Sequence, residues 1–416
     1  MTADGSAFLA PPRAPSMRQQ RASTHGACEA RFGAFVRERL QPTARQRDRD
    51  GTPLSREQVT EACALGLATL RADRAHGGGG ASLPEWALTL EWLGAECEDL
   101  AVPTLLGYRH AAGALLHELA LGRVPGAAAE GRAVAARWAD AVARGQATVS
   151  VAYTEGADPF SFRTRALPTE DGYLVHGTKT WVAGGLIADA VLTFAAGPDN
   201  ELLAFVIERD DPGVSFAARD LMGMRSLGVA QLTLHEVKVP RSRLLLDRDA
   251  LTAAQRFFNE RRLTMPLGAL GRATRLFEQG VADLSQRLRY RLPVTEMQAV
   301  QSRLGQIHVA IETARTVIYD AVERADESDP VWDAVITTAK YFAIQQLEAA
   351  VRGLSYVLGG AAYDRALPYE RGLRDLHAFL HLAGTQATLE VDLGVKAIAA
   401  VEQAATRRRK RAVDRG

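Results

Sequence analysis

The sequence predicts an α+β protein in three blocks: an N-terminal helical domain, a middle antiparallel β domain and a C-terminal helical bundle. Three observations carry that reading. Apolar residues recur at helical spacing before about residue 147 and again after about residue 247. Between them lie short β-rich runs separated by turn residues, with no helix-length segment to return a parallel strand. And 416 residues, 47% of them apolar, suffice for two or three packed units or one large composite fold.

The elements follow in order. Residues 1–26, rich in Pro, Ser and Ala, read as a disordered leader without the apolar core of a signal peptide. The N-terminal helical domain spans 27–146. In it, "HGACEARFGAFVRERLQP" places Phe32, Phe35, Val36 and Leu40 on one face, and Pro42 is expected to close the segment. "REQVTEACALGLATL" and "PEWALTLEWLGAEC" repeat the pattern on either side of "HGGGGAS", His76 to Ser82. No strand precedes those glycines and no Lys-Ser/Thr follows, so they read as a turn rather than a phosphate cradle.

The β domain, 147–246, contains "GYLVHGTKTWV", "ADAVLTFAA", "LLAFVIER" and "AQLTLHEVKV". Asp171-Gly172 marks a turn, and Leu232 and Leu234 alternate with Gln231, Thr233 and His235. The bundle, 247–405, carries a stripe at Val300, Leu304, Ile307, Ile311, Ala314, Ile318 and Val322. A second long helix, "DAVITTAKYFAIQQLEAAVRGLSYVLGG", stops at Gly359-Gly360, and "GTQATLEVDLGVKAIAAVEQAA" is a last one. Residues 406–416 form a basic tail, read as a solvated end with charge suited to a helix C-terminus.

Composition bounds the function. Fifty basic residues against 49 acidic ones give no electrostatic argument for nucleic acid or an anionic membrane. No apolar run is long enough to span a bilayer. Cys28, Cys63 and Cys97 are sparse and odd in number, which fits a reducing compartment and a cytoplasmic protein. His377 and His381 stand four apart, but without a third ligand they make no metal site.

Several ordered motifs then carry a resemblance. "VAYTEGADPFSFRT" stands where one family opens its β domain with "TEP-x-AGSD". "HGTKTWVAGG" stands for "GxKxWITN", and "LMGMRSLGVAQLTLHEVKVP" carries "GMR" and "VP". "RLRYRLPVTEMQ" matches "RxxFGxPxxxxQ", "LGGAAYD" matches "LGGxxY", and "RDLHAFLHLAGT" matches the segment from "RD" to "EGT". From about residue 30 to 400 the chain resembles the acyl-CoA dehydrogenases.

That resemblance implies a C-terminal four-helix bundle, FAD between β domain and bundle, and a homodimer or homotetramer. It also implies an acyl thioester substrate held by CoA or a carrier protein, and an electron-transfer partner. Carried over residue by residue, Tyr153 and Thr154 match the strand that meets the flavin, and Trp181 the tryptophan beside it. Ala183 replaces a flavin-binding hydroxyl. Arg287 matches the arginine that reaches a neighbouring subunit's FAD phosphates, Tyr290 the motif aromatic, and Gln298 its glutamine. Arg291 replaces the usual glycine. Gly359 and Gly360 match the glycine pair near the cofactor, with Tyr356 replacing a glutamine just before it, and Thr385 follows the catalytic position. On the substrate side, "AGSD" shrinks to Ala157-Asp158. Arg262 matches an arginine of the pantetheine helix, and Asn259 stands where an aspartate is common.

The catalytic base is the main departure. The glutamate of "EGT" is Ala383, and the alternative position, directly before Arg262, is Arg261. Glu260 lies one residue back, which turns a helical side chain by about 100°. Glu260, His377 and His381 are the candidate substitutes, with Glu260 and His381 carried forward as catalytic candidates.

Three functions fit. The first is an FAD-dependent dehydrogenase of acyl thioesters. The second is a flavin-dependent monooxygenase on the same fold, which needs no carboxylate to take an α-proton. The third is a non-redox enzyme or a non-catalytic partner subunit. A divergent member of this kind suits secondary metabolism.

Overall fold

The computed structural model describes residues 15–156, 162–326 and 332–413. The N-terminal part holds α1 (Met17–Phe35), α2 (Gln41–Asp50), α3 (Arg56–Ala64), α4 (Leu83–Glu96), α5 (Ala101–Ala120) and α6 (Arg132–Ala143). Strands β1 (Val149–Ala152), β2 (Arg165–Pro168), β3 (Gly172–Val182), β4 (Ala190–Ala196), β5 (Leu202–Glu208), β6 (Val214–Ala218), β7 (Ala230–Pro240) and β8 (Leu244–Leu246) follow. Then come α7 (Ala250–Ser285), the short strands β9 (Leu288–Arg289) and β10 (Leu292–Pro293), α8 (Gln298–Asp326), α9 (Trp332–Leu358), α10 (Tyr369–Ala378) and α11 (Gln386–Val413).

The expected three-part order holds. Serine caps with reciprocal Gln or Glu partners start α3 (Ser55 and Gln58) and α4 (Ser82 and Glu85). The glycines from Gly77 to Gly80 form the turn before α4, two of them with left-handed φ. Along α8, Ile307, Ile311, Ala314, Ile318 and Val322 are buried as the stripe requires.

Three expectations about the helices change. Helix α1 begins at Met17, inside the stretch read as leader. A capping box at Ser16 starts it, Met17 is buried, and the Met17 N–H donates to Glu323 on α8 (2.9 Å). Pro42 does not end the first helix. A π-turn over Val36–Leu40 widens the coil, and Pro42 then sits in the first turn of α2, where its missing N–H costs nothing. At the other end α11 runs on through most of the basic tail, to Val413.

The sheet order is β6-β7-β3-β2-β4-β5-β8, with β1 on β4. It is mixed rather than purely antiparallel, because β1 pairs β4 in parallel register from Val149↔Ala190 to Ala152↔Thr193. Sequence alternation sets which face a strand buries, but pairing of distant strands leaves no local mark. On β7, Leu232 and Leu234 face the core as expected.

One core joins the N-terminal helices to α7, α8 and α9. Between α4 and α7 the backbones touch. A Cβ at Gly94 would meet the Gly268 carbonyl at 2.1 Å, and one at Gly271 the Glu91 carbonyl at 1.9 Å. Glu91 is buried at that crossing and gathers Arg21, Arg315 and Tyr319 from α1 and α8.

Among the described residues no helix is long and apolar enough to cross a membrane.

Candidate functional site

Strand β1 ends at Ala152, and the chain continues along one edge of β3. Thr180 donates its N–H to the Thr154 carbonyl at 2.8 Å. Thr154 is thereby held exposed beside Trp181. The Trp181 side is 49% exposed, with the Arg219 guanidinium carbon 5.0 Å from its ring. Beneath this face Tyr153 meets Phe162, Phe194 and Phe258 edge-on, with centroids 5.0–5.3 Å apart. Burial pushes the Tyr153 hydroxyl up to about 12, so it stays protonated. Ala183 is buried, and its carbonyl accepts from Ser150 Oγ (2.9 Å).

Lys179 and Glu155 form a buried ion pair below the same strand. Burial pushes Lys179 down to about 8, against the pull of Glu155. Alternation of "HGTKTWV" puts Lys179 on the face opposite Thr178 and Thr180, which is the signal that could have marked it as buried.

The second constellation lies where α7 meets the segment before α11. Arg262 donates Nε to the Ala383 carbonyl (3.2 Å) and Nη1 to Thr337 (3.2 Å). The buried Lys340 of α9 donates Nζ to the next carbonyl, Gly384 (2.9 Å). Desolvation and the nearby Arg262 push Lys340 down to about 7. Arg262 and Lys340 thus fix the loop at the expected base position, where Ala383 is in the left-handed region (φ +53°). Asn259, buried, accepts from Gln255 (2.9 Å) and lies 3.4 Å from Arg262 Nη1. Thr385 caps α11 by accepting the Thr388 N–H (3.2 Å).

The substitute bases do not gather on that loop. Glu260 faces α5, with Oε1 3.7 Å from His110 Nε2. Burial raises the Glu260 carboxyl, and it pushes His110 down to about 3, which leaves that imidazole uncharged at neutral pH. His381 is exposed, and its ring lies 5.5 Å from that of His377, whose Nδ1 is 3.3 Å from Glu348. Helix α10 ends between them, at Ala378, and the two rings still meet.

Arg287 donates to the Leu358 carbonyl (2.9 Å), directly before Gly359, which is left-handed (φ +64°). Open space surrounds Gly359 and Gly360. Tyr290 and Arg291, both left-handed, make the two-residue turn between β9 and β10. Tyr290 and Tyr356 are strongly exposed, and Gln298 is exposed at the start of α8. Ala157-Asp158 falls outside the described residues.

These donor sets fit a flavin dinucleotide in two halves. An open indole beside a guanidinium and an exposed threonine offers a planar, partly apolar face for a ring system. Arg287 with the open Gly359-Gly360 backbone offers a cation and close approach for a phosphate-bearing chain.

The motif glycine of "GMR" also finds its reason. A Cβ at Gly223 would meet the Arg374 carbonyl at 2.2 Å, so "GMR" and "RD" pack backbone to backbone. The Met224 N–H donates to Asp375 (2.6 Å). Beside it Asp99, fully buried, pairs with Arg47 and Arg371 (2.9 Å each) and accepts from Ser226 Oγ (2.6 Å). This node went unseen in the sequence because its members are scattered from Arg47 to Asp375.

Three models of one family match the chain in order: the acyl-CoA dehydrogenase N-terminal domain at residues 23–119, the middle domain at 150–237 and the C-terminal domain at 251–395. The chain is 28% identical over 252 residues to a 3-(aryl)acrylate reductase of Clostridium sporogenes, covering 58% of this chain and 66% of that one. It is 26% identical over 368 residues to a benzylmalonyl-CoA dehydrogenase of Aromatoleum aromaticum, covering 86% and 94%. The fold matches butyryl-CoA dehydrogenase from Megasphaera elsdenii with a TM-score of 0.81 at 22% identity, over 94% of this chain and 100% of that one. It matches glutaryl-CoA dehydrogenase from Mycobacterium smegmatis with a TM-score of 0.80 at 23% identity, over 92% and 94%.

Proposed function

This chain belongs to the acyl-CoA dehydrogenase family, and from that premise we propose that it is an FAD-dependent oxidoreductase acting on an acyl thioester of CoA or of a carrier protein. The observation that carries the reading is the exposed face of Trp181, Arg219 and Thr154, an aromatic surface left open next to the β domain's core. When bound there, the flavin supplies a hydride acceptor. Trp181 and Thr154 orient the ring. Arg287 and the Gly359-Gly360 backbone of a second copy hold the phosphates, and Gln298 and Tyr290 flank that contact. Arg262 and Lys340 hold the loop of Ala383, Gly384 and Thr385 against which the thioester lies, and Asn259 orients Arg262.

A homodimer or homotetramer is part of the reading. Val391, Val395, Ile398 and Val401 form an exposed apolar stripe on α11, and Leu288, Tyr290 and Leu292 are exposed on the β9–β10 hairpin. An electron-transfer partner removes the electrons in the dehydrogenase reading. The unpaired, buried Cys28, Cys63 and Cys97 support a reducing, cytoplasmic setting. A role in secondary metabolism suits a divergent member of the family.

One observation favours a second reading, a flavin-dependent monooxygenase. Both usual base positions lack a carboxylate, and Glu260 is turned toward His110. A single experiment separates the readings. The purified protein is examined for flavin absorbance and titrated anaerobically with acyl thioesters. Bleaching supports the dehydrogenase. Flavin that stays oxidised, with O2 consumed once a flavin or NADH reductase is supplied, supports the monooxygenase. A colourless protein that takes up no added FAD would sink both.

A further inference from the structure

Helix α7 carries a second arginine whose surroundings differ from those of Arg262. Phe258, Arg261 and Arg262 fall on one face at helical spacing. Phe258 meets Tyr153, just past the end of β1 (5.3 Å), and Arg262 reaches the Ala383 carbonyl. Arg261, between them, turns toward α5. It is 2% exposed, donates Nη1 to the Thr104 carbonyl (3.3 Å) and lies over the Tyr108 ring, 4.3 Å from guanidinium carbon to centroid. Tyr108 in turn packs edge-on against Phe257 (5.2 Å). Gly107 makes room, since a Cβ there would approach Arg261 Nη1 to 3.3 Å.

Arg261 lacks a direct counter-charge: Glu260, the acid whose field acts on it, makes no salt bridge with it. Its buried Nε has no hydrogen-bond partner, and among the described residues no carboxylate forms an ion pair with it. The adjacent Glu260 points to His110 instead, its Oε1 also unbonded. Burial lowers Arg261 to about 10, which still leaves it charged at neutral pH. A buried, unpaired guanidinium is costly, and the planar fork of arginine suits a carboxylate in particular.

We propose that Arg261, backed by Tyr108, is an anion subsite that receives a carboxylate on the acyl group of the substrate, so that this chain takes thioesters of dicarboxylic acids. The proposal rests on the thioester reading, which lays the thioester against the Ala383 loop; the subsite further requires the acyl group to run from there past Phe258 to Tyr108. The carboxylate supplies the missing counter-charge, and the aromatic walls contact the methylenes between it and the thioester.

The test compares thioesters matched in length. Calorimetric binding to the full-length, FAD-loaded chain is measured for glutaryl-CoA against pentanoyl-CoA, and for succinyl-CoA against butyryl-CoA. The wild-type chain is expected to favour the dicarboxylic member of at least one pair by tenfold or more. Arg261→Met is expected to lose that preference while still binding the monocarboxylic thioesters, and Arg261→Lys to keep part of it. Equal binding, a preference for the monocarboxylic members, or a preference that survives in Arg261→Met overturns the subsite alone. Binding of none of the four overturns the reading as an enzyme of CoA thioesters, and the subsite as proposed for them. Should Arg261→Met fail to fold, the two wild-type comparisons decide.

Discussion

Ala383 shows how one side chain can change chemistry without moving its frame. Its carbonyl and that of Gly384 are held by Arg262 and Lys340, so the loop stays in place whatever the side chain is. Ala383→Glu is therefore expected to return a carboxylate to a fixed position and speed anaerobic flavin bleaching by an acyl thioester at least tenfold. Stopped-flow absorbance checks it, and an unchanged rate would mean that the site departs from a dehydrogenase beyond this residue. Lys340 gives a pH signature. Its pKa is about 7 in the folded chain, against roughly 10.4 when unfolded. Between those values the unfolded state binds more protons, so stability rises with pH across that window. Lys179, lowered to about 8, contributes in the same sense. In Lys340→Met the rise should be visibly shallower but not abolished. Urea midpoints from pH 7 to 10 test this, and identical slopes in the two proteins would rule Lys340 out as their source.

Among the elements, the β9–β10 hairpin is built against its own sequence. A two-residue turn with both φ values positive favours Asn-Gly, yet Tyr290 and Arg291 occupy it. A residue with a Cβ in the left-handed region costs about 1 kcal/mol. Arg291→Gly should raise stability by about that much, and a loss measured by chemical denaturation would show that the Arg291 side chain makes a compensating contact. The same element shows what could be read in advance. The replacement of a glycine at Arg291 was visible, and so were the α8 stripe and the alternation on β7, because each is a local pattern. The start of α1 at Met17 was not, since it depends on a contact with Glu323 some 306 residues away. The parallel β1–β4 pairing was hidden for the same reason. At the site, Arg262 and the Ala383 frame were legible from ordered motifs. The inward turn of Arg261 depends on Thr104 and Tyr108 of another helix, and no spacing along α7 encodes that.

Across the whole molecule, the node at Asp99 ties together the three parts of the chain. Arg47 comes from α2, Ser226 from the β domain and Arg371 from α10. Burial works against the Asp99 charge, but Arg371 and Arg47 outweigh it and hold the carboxyl below its ordinary range. Asp99→Asn would leave Arg47 without its carboxylate and Arg371 with the longer contacts to Asp375 (3.4 Å) and Asp48 (4.0 Å), and is expected to cost about 3 kcal/mol. Equilibrium unfolding measures it, and a loss under 1 kcal/mol would show that the two arginines find other partners.

The node also bears on how the chain comes apart. Helical and sheet layers that share a desolvated charge cluster cannot melt one at a time without stranding it, so the native state should give way in a single calorimetric transition. Opening of the β domain on a hinge is blocked on the same side.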